Sequence, residues 1–223
     1  MLCFASLGEC AERFADDIAG CLSEAIATRG QASLGVSGGK TPQHLFPVLA
    51  QKKVAWERVC VTLIDERWVA PGHPDSNEGL ARRLLMQGPA AKARFIGMKT
   101  DHTNPVDAQA DVEQALASVG WPLDAAFLGM GEDGHIASLF PDQENWQDAP
   151  GRVLAVAGNL ERQPRMSLTP AALLDSRHIF LVIAGPQKRA LYDAALKPGP
   201  IGALPIRLIL HQSQIPVTLY AVD

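Results

Sequence analysis

Short apolar runs alternate with longer amphipathic segments along this chain, and no other feature constrains its fold as tightly. ASLGV (32–36), VCVTLI (59–64), DAAFLG (124–129), VLAVAG (153–158), RMSLT (165–169), HIFLVIAG (178–185) and VTLYAV (217–222) read as strands. Helices are expected over 8–28, from Pro42 through QHLFPVLAQ, over GLARRLLM (79–86), over 106–118 and over GPQKRALYDAAL (185–196). Pro42 suits a first helical turn, whereas Pro47 should kink or end the helix it sits in. LPIRLILHQ (204–212) fits either state, with its length slightly favouring helix. Strands separated by helices imply an α/β fold with a mostly parallel sheet covered on both faces. No internal repeat or low-complexity linker interrupts the pattern, so residues 1–223 are read as a single α/β domain. Sites in such folds gather beyond the carboxyl ends of the strands.

Composition narrows the function classes. Charged residues make up 20% of the 223 and the net charge is −4, so no broad basic surface suits nucleic acid or an anionic membrane. Each Lys and Arg must therefore be judged in its local setting. No apolar run approaches ~18 residues, and no membrane-spanning helix is expected. Cys3, Cys10, Cys21 and Cys60 show no C-x-x-C pairing, which favours a reduced cytoplasmic protein and disfavours zinc. The opening MLCFASLGECAERFADD lacks a basic leader and soon turns acidic, so a signal peptide is not expected.

Three polar stretches stand where strands end. GVSGGKTP (35–42) sets consecutive glycines before a helix start, so backbone amides and the helix dipole can meet an anion. It approaches the nucleotide-binding G-x-x-x-x-G-K-[ST] pattern, but Leu34 stands where the first glycine belongs and Gly35 leaves the loop one residue short. A small phosphate suits it better than a nucleoside triphosphate, although an ordinary capped turn accounts for the same residues. IDERWVAPGHPDSNEG (64–79) sends Asp65, Glu66 and Arg67 off an apolar strand together. Asp65 can orient a proton carrier or hold a hydroxyl, and Arg67 can clamp a phosphate or a carboxylate. A surface ion pair closing a strand explains them equally well. His73 reads as solvated, and Asp75, Ser76 and Asn77 as turn and capping residues.

The third stretch, GMGEDGHIASLFP (129–141), matches the dinucleotide-binding glycine fingerprint over its first six residues. Glu132 and Asp133 would face the pyrophosphate, however. The next strand ends at Gly158 without the acidic ribose ligand, and Glu161 comes late. No nicotinamide cofactor is expected. Gly134 instead permits a tight turn that presents His135 at a helix start, where Asp133 can orient it. An ordinary imidazole, with a pKa near ~6.5, can take a proton from water at neutral pH. The plainer alternative is a solvated or capping histidine.

SGGKTP, DERWV and GMGEDGHIASLFP, in this order and spacing, resemble the 6-phosphogluconolactonase family, and RMSLTP and GPQKR extend the likeness over nearly the whole chain. The resemblance implies a three-layer α/β sandwich like that of the sugar-phosphate deaminase, ribose-phosphate isomerase and CoA-transferase group. It implies metal-free, cofactor-free hydrolysis of 6-phospho-D-glucono-1,5-lactone to 6-phospho-D-gluconate, in the oxidative pentose phosphate pathway. On that pattern Gly38, Gly39 and Thr41 hold the phosphate, with Lys188, Arg67 and Arg165 as cations. His135 activates water, while Asp65 and Asp133 fix substrate hydroxyls or the imidazole. Lys40 stands where the family often has a small hydroxyl residue, and either binds phosphate or faces water. The expected partner is the small sugar-phosphate lactone, with the chain a monomer or weak homodimer. Two rivals share the pattern in part: an aldose–ketose isomerase or amino-sugar-phosphate deaminase, and a non-catalytic sugar-phosphate sensor. In the deaminase-like pattern a glutamate closely follows the GHIA segment; here Ser138, Leu139, Phe140 and Pro141 follow, with no carboxylate before Asp142.

Overall fold

Strands whose two faces are both covered read as continuous apolar runs, and such runs make up the middle of a seven-stranded sheet. The computed structural model describes all residues except Asp142, Glu144, Asn145, Glu161 and Asp223. Asp142 and Glu161, weighed above, thus lie outside the described residues, as does Glu144, the next carboxylate after Asp142. In chain order the first elements are β1 (Leu2–Phe4), α1 (Leu7–Arg29), β2 (Ala32–Val36), α2 (Pro42–Ala50), β3 (Val59–Leu63), β4 (Asp65–Arg67), α3 (Asn77–Leu84), β5 (Arg94–Ile96) and α4 (Pro105–Leu116). Then follow β6 (Ala125–Gly129), β7 (Val153–Val156), β8 (Arg165–Leu168), α5 (Pro170–Leu174), β9 (Ile179–Ala184), α6 (Pro186–Ala195), α7 (Arg207–Leu210) and β10 (Val217–Val222). The central sheet runs β1-β10-β9-β6-β2-β3-β5, every pair parallel, with helices flanking it. All five residues of β2 and of β3 are buried, as a doubly covered sheet requires.

Helix α1 shows how the flanking layer is fastened. Cys10, Phe14, Ile18, Leu22 and Ala25 recur at helical spacing and are all buried. Ser6 caps its start by accepting from the Glu9 amide, and Gly30, at φ 80°, closes its end in the left-handed conformation. Phe14 packs edge-on against Phe127 of β6 with ring centroids 5.0 Å apart, and against Tyr220 of β10 at 5.6 Å. Burying such a side chain contributes about 1.5–3 kcal/mol. Pro47 does not end α2, which continues to Ala50.

A second sheet, β4-β8-β7, is antiparallel and was not foreseen in the sequence. The strand expected through residue 64 breaks at Ile64. Its amide donates to the Val36 carbonyl of the parallel sheet at 2.9 Å, while its carbonyl accepts from Leu168 of the antiparallel one at 2.9 Å. One residue thus hands the chain from one sheet to the other, and Asp65, Glu66 and Arg67 enter a strand rather than a rim turn. β1 and β5, three residues each, were also missed. The ambiguous 204–212 segment contains a single helical turn, α7. No helix of the described residues is long and apolar enough to cross a membrane.

Candidate active site

The three polar stretches meet at the carboxyl ends of β2, β3 and β6, around a cavity of about 160 Å³. Its first wall is the loop from Ser37 to Thr41. The Ser37 amide and hydroxyl both donate to the Phe127 carbonyl, at 3.2 and 3.0 Å, which pins the loop to β6. Gly39 has φ 105°, a conformation that a side chain would strain. Thr41 stands at the start of α2 but makes no capping bond with its side chain. The nine-residue helix behind it starts at Pro42, itself in the cavity wall, and so turns the positive end of its dipole toward the cavity.

The second wall explains the glycine pattern of 129–134. A Cβ on Gly131 would sit 2.1 Å from His135 Nδ1, so the absence of a side chain there makes room for the imidazole. Gly134 takes φ 82°, as the tight turn requires. No helix begins after His135, contrary to expectation. Residues 136–139 instead close a turn in which Leu139 N–H donates to the Ile136 carbonyl at 2.9 Å and Ala137 adopts φ 51°. Asp133 Oδ1 accepts from the His135 amide at 3.0 Å and lies 2.5 Å from His135 Nδ1. Facing a carboxylate, Nδ1 carries the proton and Nε2 is left as the acceptor. Burial pushes the Asp133 carboxyl up, but hydrogen bonds and charge from His135 outweigh it and hold the group at about 2. Phe140 packs on the imidazole with ring centroids 4.6 Å apart.

The third wall is β4 with its partner β8. Asp65 is buried; its Oδ2 accepts from Ser138 Oγ at 2.6 Å and pairs with Arg165 Nη1 at 3.4 Å. It makes no bond to His135, so of the two aspartates only Asp133 orients the imidazole. Glu66 is fully buried, which rules out a surface ion pair. Arg67 Nη1 donates to the Asp75 carbonyl at 2.8 Å and to Asn77 Oδ1 at 2.7 Å. Arg67 Nε and Arg165 Nε are buried with no partner among the described residues. Donors left in that state in a cavity wall are suited to an anionic ligand.

Lys188, in the first turn of α6, and Lys40 also line the cavity. Burial lowers the Lys188 ammonium, and Lys40 lowers it further while Glu132 opposes both. Gly38, Gly39, Lys40, Thr41, Asp65, Arg67, His135, Arg165 and Lys188 therefore all reach one cavity, and Asp133 stands behind the histidine. His73, half-exposed and bonded to the Asp75 amide, lies outside it. Sequence reasoning missed Asn77 and Ser138. Ser76 is the α3 cap, accepting from the Gly79 amide at 3.0 Å, so the carboxamide beside it was free for another task. Among the described residues no three His, Cys, Asp or Glu side chains cluster to hold a metal ion.

The parallel sheet, its strand-end cavity and the histidine–aspartate pair facing lysine and arginine define an α/β enzyme. A family model described as glucosamine-6-phosphate isomerases/6-phosphogluconolactonase matches residues 5–218. The chain is 42% identical to the 6-phosphogluconolactonase of Mesorhizobium japonicum over 208 residues, 91% of this chain and 87% of that protein. It is also similar to a crystal structure of a 6-phosphogluconolactonase from Shewanella baltica, at 36% identity and a TM-score of 0.97, over 100% of this chain and 97% of the other. A monomeric glucosamine-6-phosphate deaminase shares the fold, at 18% identity and a TM-score of 0.82, over 100% of this chain and 98% of its own. The chain belongs to the glucosamine-6-phosphate isomerase/6-phosphogluconolactonase family.

Proposed function

We propose that this enzyme hydrolyses 6-phospho-D-glucono-1,5-lactone to 6-phospho-D-gluconate, in the oxidative pentose phosphate pathway, with His135 as general base. The observation that carries the proposal is the 2.5 Å contact between Asp133 Oδ1 and His135 Nδ1 at the edge of a cavity rich in cationic side chains. The two 6-phosphogluconolactonases named above support the same substrate. The amides of Gly38 and Gly39, the Thr41 hydroxyl and Lys188 hold the phosphate, with Lys40, Arg67 and Arg165 adding positive charge. His135 Nε2 takes a proton from water as the water oxygen bonds to the lactone carbonyl carbon. Cationic and backbone donors of the wall stabilise the oxyanion. When the oxyanion collapses, the bond to the ring oxygen breaks, and that oxygen receives the proton from His135. The carboxylic acid formed then releases its own proton to solvent. One imidazole serves twice, and no step calls for a metal or cofactor.

Hydrolysis of freshly generated 6-phosphogluconolactone, followed by proton release and corrected for spontaneous opening, tests the proposal. Catalysed release supports it. A rate no greater than the spontaneous one overturns it.

A further inference from the structure

Asn77 makes contacts that no capping residue needs. Its Oδ1 accepts from Arg67 Nη1 at 2.7 Å, while Nδ2 donates to the Asp65 carbonyl at 2.7 Å and to Asp65 Oδ1 at 3.2 Å. The same carboxamide packs closely against the glycine loop, because a Cβ on Gly38 would sit 1.8 Å from Asn77 Oδ1. One planar group therefore touches a guanidinium, a buried carboxylate and the backbone of a third segment. A carboxamide alone offers an acceptor to the cation and a donor to the carboxylate at once. Aspartate would set a second negative charge against Asp65, and serine is too short to reach both.

The backbone of Asn77 is held as firmly as its side chain. Its amide donates to Glu66 Oε1 at 2.8 Å, and the buried Glu66 carboxylate also accepts from the Arg67 amide at 2.7 Å, Ser76 Oγ at 2.9 Å and the Glu78 amide at 2.8 Å. Glu66 thus anchors the start of α3 between the two residues that Asn77 touches on β4. We infer that Asn77 is a positioning residue: it fixes the Arg67 guanidinium and the Asp65 carboxylate against the Gly38 loop before any ligand arrives. Its consequence for turnover rests on the function proposed above; its effect on Arg67 does not.

Nitrogen-15 NMR of the Arg67 guanidinium in the free protein, assigned with Arg67→Lys, tests the restraint directly. Wild type and Asn77→Asp both keep an acceptor for Arg67 Nη1, so rotation about the Cζ–Nε bond should be slow in both. Asn77→Ala should rotate faster, although the Asp75 carbonyl retains one bond. If Asn77→Ala fails to fold, Asn77→Ser takes its place. A residue with a merely structural role would leave all three alike, and that result overturns the inference. In turnover of 6-phosphogluconolactone, Asn77→Ala should lower kcat/KM by about 10²-fold, the scale of a misplaced binding group. The same change made in Arg67→Lys should cost only a few-fold, because the two residues act together. Additive losses also overturn the inference. A wild type that turns over no lactone refutes the proposed function instead, and the guanidinium dynamics then decide the positioning role by themselves.

Discussion

With Nδ1 of His135 committed to Asp133, replacing the ring removes the proposed base while leaving the cationic walls in place. His135→Asn should therefore lower kcat by about 10²–10⁴-fold with KM little changed, as initial rates will show. Near-normal turnover in a folded variant would exclude the role. The Asp133 carboxyl carries a second, independent expectation. Its folded value of about 2 lies below the ordinary 3.8, so its stabilising contribution is present above 3.8 and is lost as pH falls through about 2. Denaturant melts across that window should show wild type losing more stability than Asp133→Asn; parallel losses would mean that the pair adds nothing to folding. The placement of His135 against Asp133 was legible in the sequence, because Gly134 permits the tight turn that brings the two together. Asn77 was not. Its neighbour Ser76 explained the helix start, and nothing in the spacing reveals a side chain that turns back toward a strand twelve residues earlier.

Among the elements, those with a clear apolar run or stripe were the easiest to read. β2, β3, β6, β9 and β10 announced themselves through apolar runs, most of whose residues are buried, and α1 through its apolar stripe. β4 could not be read that way, because Asp-Glu-Arg has no apolar face and owes its strand form to pairing with β8, a hundred residues away. What stabilises that element is Glu66. Burial raises its carboxyl above the ordinary value, and hydrogen bonds from the Glu78 and Asn77 amides and the Ser76 hydroxyl oppose that rise without cancelling it. Glu66→Gln would turn an amide N–H₂ against donors that need acceptors. The variant should lose about 1–3 kcal/mol of stability in denaturant melts, the usual cost of an unsatisfied buried group. An unchanged midpoint would show that the start of α3 is held by Ser76 and packing alone.

At the scale of the whole molecule the fold does not choose between hydrolysis and deamination, since a monomeric glucosamine-6-phosphate deaminase shares it at a TM-score of 0.82. The choice lies in what lines the space beside His135. Opening a sugar ring and shuttling a proton between C1 and C2 need a second acid/base group near the imidazole, whereas lactone hydrolysis uses one proton carrier twice. Ser138, the first polar side chain after His135, is buried and donates to Asp65 at 2.6 Å, so its hydroxyl is already committed. Leu139 and Phe140 are buried, and Phe140 lies against the imidazole itself, so this stretch presents a wall and no carboxylate. Asp65, which also lines the cavity, is engaged by Ser138, Asn77 and Arg165 rather than by His135. The protein should therefore release no ammonia from glucosamine 6-phosphate and interconvert no pentose phosphates under conditions where it opens 6-phosphogluconolactone. A coupled ammonia assay beside the lactonase assay checks this on one preparation. Robust ammonia release would overturn the assignment, and Asp142 or Glu144 would then be the first residues to suspect.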